Sequence, residues 1–171
     1  MFVGAVVGDA GKYRNITISD CINYAAVHSA SSGSSNIITE AYVGGIAGRG
    51  FDGTIINCEN HGDVTTVAGA SSFGSSGAYY VGGIVGESFG TILHCRNTGA
   101  VFGGDMVGGI AGRGATVVGC SNTGTVSSDF VYSFPNDPFD QVCGSTGGIL
   151  GATLSGTVVE GCYNSGAISS N

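Results

Sequence analysis

Cys21, Cys58, Cys95, Cys120 and Cys162 each open a Cys-x-Asn triplet, and the triplets close on Asn23, Asn60, Asn97, Asn122 and Asn164. Thiols can pair as disulfides, ligate soft metals, or pack as small apolar groups. Five cysteines at one repeated position favour packing in a shared column, although column neighbours at strand spacing also fall within disulfide range. Cys143 stands outside that position. No Cys-x-x-Cys occurs, which argues against a zinc ribbon or finger. The histidines are His28, His61 and His94, with no His-Glu-x-x-His motif for a metallopeptidase. They read as surface or turn residues. Asp52, Glu59, Asp63, Glu87 and Asp105 occupy unrelated repeat positions, so a facing carboxyl pair for glycoside cleavage is not expected. No Asp-x-Asp-x-Asp-Gly calcium loop is present. The reading is that the chain has no catalytic, metal or cofactor site.

One segment stands apart from the repeats. It runs from Asp129 to Asp140 and holds Phe130, Tyr132, Phe134, Phe139, Asp137 and both prolines, Pro135 and Pro138. Aromatic faces stack on sugars or anchor a protein partner, and acids accept hydroxyl hydrogen bonds. Asp129, Phe130, Tyr132, Phe134, Asp137, Phe139 and Asp140 therefore form the candidate ligand or partner loop. The bland alternative is a loop that folds back over the flank of the domain. Thr17, Thr54, Thr91 and Thr116 also recur, with Thr157 nearly in line. A threonine ladder can resemble an ice-binding face, but such faces usually carry two columns.

Composition sets the class. Glycine accounts for 33 of 171 residues, proline for 2, and charged residues for 10%. Typical soluble domains carry about 25% charged residues, and helices need them on exposed faces. The net charge is -7 with five basic residues, Lys12, Arg14, Arg49, Arg96 and Arg113. No cationic cluster exists to bind phosphate backbones or anionic membranes. No apolar run is long enough to span a bilayer.

Two blocks repeat along the chain. Val43-Gly44-Gly45-Ile46-Ala47-Gly48 returns at Val81 to Gly86, Val107 to Gly112 and Thr146 to Gly151, with a degenerate copy at Val3 to Gly8. The second block carries the Cys-x-Asn triplets and is followed by Gly62, Gly99, Gly124 or Gly166, with Ala25 in the first copy. The cysteines are 37, 37, 25 and 42 residues apart. The copies span approximately 2–27, 42–64, 80–101, 106–126 and 145–168. The insertions cover 28–41, 65–79 and 127–144, all leaving from one edge of a single repeat domain, 1–171.

One copy of about 25 residues buries too little to fold alone, but stacked copies share a core. The fold class expected is all-β: a parallel β-solenoid, right-handed and β-helix-like, of about five rungs. At ~4.8 Å per rung the stack is roughly 25 Å long. Ile18, Ile55, Ile92, Val117 and Val159 form one inward column and the cysteines another. The two columns lie three residues apart, which calls for a corner or bulge between them. The asparagines are expected to run as an amide ladder, with φ > 0 at the following glycine. Both ends read as open edges with no evident cap.

The Val-Gly-Gly-Ile-Val-Gly block, followed by Thr-Ile-x-x-Cys-x-Asn-Thr-Gly-x-Val, resembles the GLUG repeat. The resemblance covers nearly the whole chain apart from the insertions. It departs at Ala5, Ala25 and Glu160, so the first rung is expected to be distorted. GLUG repeats occur in bacterial surface proteins, adhesin-like chains and the repeat-bearing parts of some immunoglobulin peptidases. The resemblance implies a secreted or cell-surface solenoid, part of a longer chain, with no defined catalytic activity. The function expected is an extracellular structural or adhesive module. Its partners would be neighbouring domains or copies of itself at the solenoid ends, and a host glycan or protein, not nucleic acid or membrane. The alternatives are a carbohydrate-binding or carbohydrate-cleaving β-helix and, more remotely, an ice-binding solenoid.

Overall fold

The computed structural model describes residues 1–11, 16–30, 40–50, 52–67, 79–129, 131–133 and 141–170. Among them every regular element is a β-strand. The strands line up in four parallel walls, and each wall draws on all five rungs. Wall one holds Phe2–Gly4, Ala41–Gly44, Tyr79–Gly82, Met106–Gly108 and Ser145–Gly147. Wall two holds Val7–Asp9, Ala47–Gly50, Val85–Leu93, Ala111–Val118 and Leu150–Glu160, with Thr17–Ser19 and Thr54–Ile56 continuing it in the first two rungs. Wall three is the Cys-x-Asn segment, from Ile22–Asn23 to Tyr163–Asn164. Wall four holds Val27–Ala30, Val64–Val67, Val101–Gly103, Val126–Ser128 and Ile168–Ser170. The chain is a parallel β-solenoid.

Register follows the repeats residue for residue. Val43 pairs with Val81 and Val81 with Val107. Ile18 pairs with Ile55, Ile55 with Ile92, Ile92 with Val117 and Val117 with Val159. In-register pairing puts like side chains over one another, and the β-branched residues of these columns suit a pleated, buried surface. Wall-four strands run on past the first valine to Ala30, Val67 and Ser128. The first residues of each stretch read as an insertion are therefore part of the stack.

The interior is divided in two. One apolar cluster gathers Ile18, Ile46, Ile55, Ile84, Ile92, Ile110 and Val117 with Cys58, Cys95 and Cys120. The other is a file of valines, Val27, Val43, Val64, Val81, Val101, Val107 and Val126. Between them lies a waist where the Asn side chains meet the second glycine of the first block. A Cβ placed on Gly45, Gly83, Gly109 or Gly148 would lie 2.3, 2.3, 2.5 or 2.4 Å from the Cγ of Asn60, Asn97, Asn122 or Asn164. In these four rungs only glycine leaves room for the amide.

The corner between the isoleucine and cysteine columns has a specific cause. The residue before each cysteine is left-handed: Asp20 at φ 55°, Asn57 at 54°, His94 at 50°, Gly119 at 62° and Gly161 at 60°. Asp, Asn and Gly tolerate that region best. This single residue turns the strand and lets columns three apart both face inward.

The expectation of φ > 0 at the glycine after each asparagine is corrected. Among the described residues Gly62, Gly99, Gly124 and Gly166 do not adopt it. They are glycine because the rungs press together. A Cβ at these positions would come 2.0, 2.1, 2.0 and 1.9 Å from the carbonyl oxygen of Ala25, Gly62, Gly99 and Gly124 in the preceding rung. Ala25 has no described rung before it and is exposed, so a methyl fits. Glu160 is also accommodated, since it pairs with Val118 on an outward position and is exposed. Ala5, at the crowded waist position, is likewise exposed.

Gly99→Ala is expected to cost about 1–3 kcal/mol through this backbone collision. Ala25→Gly should shift stability by less than about 1 kcal/mol. Urea midpoints at unchanged m-value measure both.

Candidate functional site

Three sets of stacked side chains run along the solenoid. The first is the asparagine ladder. Asn23 Nδ2 donates to Asn60 Oδ1 at 2.8 Å, Asn60 to Asn97 at 2.8 Å, Asn97 to Asn122 at 2.8 Å and Asn122 to Asn164 at 2.7 Å. The same Nδ2 atoms donate within their own turns to the carbonyls of Ala25, Gly62, Gly99, Gly124 and Gly166 at 2.7–2.9 Å. Both amide protons of the inner asparagines are thus used, which is what allows fully buried Asn60, Asn97 and Asn122 between two apolar clusters.

The second set is the cysteines. Cys58, Cys95 and Cys120 are buried; Cys21 and Cys162 are partly so; all five are free thiols. Each Sγ lies 3.2–3.5 Å from the carbonyl oxygen two residues earlier, across the left-handed corner. The later four also reach the inward column of the preceding rung, at Ile18, Ile55, Ile92 and Val117. A thiol here is a small apolar filler that also gives a weak hydrogen bond to the corner. Side-chain hydrogen bonds with Cys120 and then Cys58 push the Cys95 thiol well above its ordinary range, and burial acts in the same direction.

The third set was not recognised from the sequence. Phe2, Tyr42 and Tyr80 stand in register on wall one, with ring centroids 5.1 and 5.0 Å apart and nearly parallel planes. Seven residues further on in each rung, Asp9, Arg49, Glu87 and Arg113 stand in register on wall two. The arginines lie over the rings: Arg49 at 5.5 Å from Phe2 and 5.2 Å from Tyr42, Arg113 at 4.8 Å from Tyr80 and 5.8 Å from Phe89. Glu87, 1% exposed, is held between them, with Oε1 2.5 Å from Arg113 Nη2 and Oε2 3.5 Å from Arg49 Nε. Burial raises the Glu87 carboxyl above its ordinary value, against the pull of both guanidinium groups. The constant seven-residue offset between Phe2 or Tyr and Asp, Arg or Glu was the available signal. It is hidden because the types alternate along each column.

Other residues fall as follows. Asp129 is exposed at the end of wall four. Tyr132 lies in strand Val131–Ser133, which pairs antiparallel with Gln141–Cys143 and sets Tyr132 opposite Val142. Phe130, Phe134, Asp137, Phe139 and Asp140 lie outside the described residues. His28 Nδ1 is 2.7 Å from Thr65 Oγ1, and His61 Nδ1 is 2.8 Å from Thr98 Oγ1. His61 also stacks on exposed Tyr24 at 4.9 Å. The threonine column ends early, because Thr116 pairs with Val158 and not with Thr157. The Thr157 hydroxyl instead donates to the Leu154 and Gly114 carbonyls. Among the described residues no three His, Cys, Asp or Glu converge as a metal would require.

The GLUG motif matches residues 39–65 and 77–101, the second and third rungs with the ends of the insertions before them. This chain carries GLUG repeats. No curated protein and no solved structure matches it. In the two matched GLUG rungs the Val-Gly-Gly-Ile block builds the waist and the Cys-x-Asn-x-Gly block supplies corner, ladder and contact glycine.

Asn97→Ala should cost about 3 kcal/mol, because the Asn60 donor and the Asn122 acceptor both lose their partner inside the stack. Asn164→Ala, at the last rung, should cost about 1 kcal/mol. Equal losses in denaturant melts would remove the ladder from the account. For Glu87 the folded carboxyl is raised, so the folded state takes up a proton more readily than the unfolded chain. Wild type should therefore gain stability relative to Glu87→Gln as pH is lowered from 7 towards the ordinary value of 4.5, and lose that margin on return to neutrality. Paired melts across that range give the sign.

Proposed function

We propose that this GLUG chain is a structural and adhesive module of a bacterial surface protein or extracellular fibre, without catalytic activity of its own. The stacked rungs act as a stiff spacer, and the inserted segments do the recognising. What carries the reading is where those segments leave. The chain enters all three from wall four, after Val27–Ala30, Val64–Val67 and Val126–Ser128. The third wall-four strand, Val101–Gly103, instead passes through Gly104 and Asp105 straight to Met106–Gly108. Segments that depart from one wall at rung spacing can engage one partner together, with their spacing fixed by the stack. Neighbouring domains or copies of the chain at the solenoid ends, and a host glycan or protein at the insertions, are the partners proposed.

A carbohydrate-binding or carbohydrate-cleaving role is the second reading. It is favoured by the antiparallel pair Val131–Ser133 and Gln141–Cys143, which brings together the two ends of the segment bearing Phe134, Asp137, Phe139 and Asp140. A glycan array, an array of host-matrix proteins and a reducing-sugar assay on the full chain separate the readings. The expected result is binding to a matrix glycoprotein, abolished when residues 134–140 are replaced by a Gly-Ser turn while the circular dichroism spectrum is unchanged. Micromolar binding to a free glycan, lost in Phe134→Ala, favours the second reading. Sugar release by the purified chain refutes the non-catalytic one.

A further inference from the structure

The outer face of wall three carries a chain of polar contacts that joins two inner rungs. Glu59 and His61 stand two residues apart in the second rung. Arg96 and Thr98 stand two apart in the third, with Arg96 in register on Glu59. Asn60 and Asn97 between them are buried, so the four flanking side chains share the outer face. Thr98 Oγ1 lies 2.8 Å from His61 Nδ1, and His61 Nε2 lies 3.0 Å from Glu59 Oε2. The Tyr24 ring stacks on the imidazole at 4.9 Å with the planes 10° apart, which fixes the plane of the ring. The His61 and Glu59 side chains are 27% and 42% exposed, and Thr98 is partly exposed, so a molecule in solution can reach them.

The partners decide where the protons sit. A carboxylate only accepts, so the nitrogen facing Glu59 carries the hydrogen. In the neutral ring Nδ1 is then the lone-pair nitrogen, and the Thr98 hydroxyl donates to it. The other acceptor near that hydroxyl, the Asn60 carbonyl, is farther away at 3.4 Å. Hydroxyl, imidazole and carboxylate therefore follow the order of a nucleophile, its base and the group that orients the base. The Arg96 guanidinium is exposed and forms no ion pair with a described residue. It starts two residues, roughly 6.6 Å, from Thr98 along the strand, and supplies positive charge for an oxyanion formed beside that hydroxyl.

Wall four provides an internal control. His28 Nδ1 lies 2.7 Å from Thr65 Oγ1, and the two residues pair in register. Stacking a histidine on a threonine is thus a contact this solenoid makes for packing. Among the described residues, however, no carboxylate meets His28 as Glu59 meets His61.

We infer that Thr98 is an acyl-acceptor site, with His61 as its base and Glu59 as a positioning residue, and that its substrate class is a thioester or an aryl ester. Thr98 Oγ attacks the carbonyl carbon. The Oγ–C bond forms, and the C–S or C–O bond to the leaving group breaks. The hydroxyl proton passes to His61 Nδ1 and then to the departing thiolate or phenolate. One thioester and one hydroxyl give one oxygen ester and one thiol, with no further reactant. The donor class follows from the leaving group. Thiolates and phenolates have conjugate acids near pKa ~8.5 and ~10, far below that of an alkoxide. Transfer to Thr98 therefore runs downhill, and the oxygen ester keeps its acyl group. Such a site makes one covalent capture and does not turn over. It goes beyond the binding role proposed for the inserted segments and lies on a different wall.

The full chain is treated with p-nitrophenyl acetate and, separately, with the acetyl thioester of N-acetylcysteamine, and acetylated residues are followed by peptide mass spectrometry. Thr98 should be acetylated at least ~10-fold faster than Thr65. His61→Gln should slow Thr98 at least ~10-fold. Glu59→Ala should slow it as well, and Glu59→Gln, which keeps an acceptor for Nε2–H, should recover part of the rate. Thr98→Ser should still be acetylated and Thr98→Val should not, with circular dichroism spectra matching the parent. The inference is overturned if Thr98 reacts no faster than Thr65, if His61→Gln leaves the rate unchanged, if the two Glu59 variants behave alike, or if the Thr98 ester is lost as fast as it forms. A negative glycan or protein array alters none of these readouts.

Discussion

Each rung of this solenoid obtains most of its backbone hydrogen bonds from the rungs on either side, because the wall strands, two to eleven residues long, pair in parallel with their counterparts. Such pairing works only when equivalent residues stand directly above one another. That requirement explains most of the sequence. Valine and isoleucine recur where the column faces inward. Glycine recurs where two backbones or a backbone and an amide come too close for a Cβ. Asparagine recurs where a polar group must be buried and can be satisfied by its own copy.

The contact glycines show how stringent the geometry is. Loss of conformational freedom makes glycine a costly residue in a strand, and nothing in the dihedral angles of Gly62, Gly99 or Gly124 demands it. The demand comes from the neighbouring rung. The same reasoning accounts for the exceptions, since a residue at the edge of the stack is released from a constraint that binds every inner copy.

The architecture could be read from the sequence because both blocks repeat five times with fixed internal spacing, and spacing is what a stack preserves. The Cys-x-Asn segments of wall three could be placed in register for that reason. Two things were hidden. The left-handed corner is occupied by Asp20, Asn57, His94, Gly119 and Gly161, which share a tolerance of φ > 0 but no side-chain chemistry. The arginine–aromatic set repeats in position but not in identity, so identity matching passes over it. The candidate partner loop stands out by composition alone; of its residues the structure describes the exposed Asp129 and the strand holding Tyr132.

The alternation of charge along wall two has a consequence for how the coils find their order. Neighbouring rungs are otherwise close to interchangeable, and a chain of near-identical units risks pairing one coil with the next but one. Skipping a rung would bring Arg49 against Arg113, or exposed Asp9 against buried Glu87, like charge upon like charge. Correct succession instead gives acid, base, acid, base. The column therefore works as a proofreading key for assembly, discriminating against mis-threaded coils that the hydrophobic columns alone would accept.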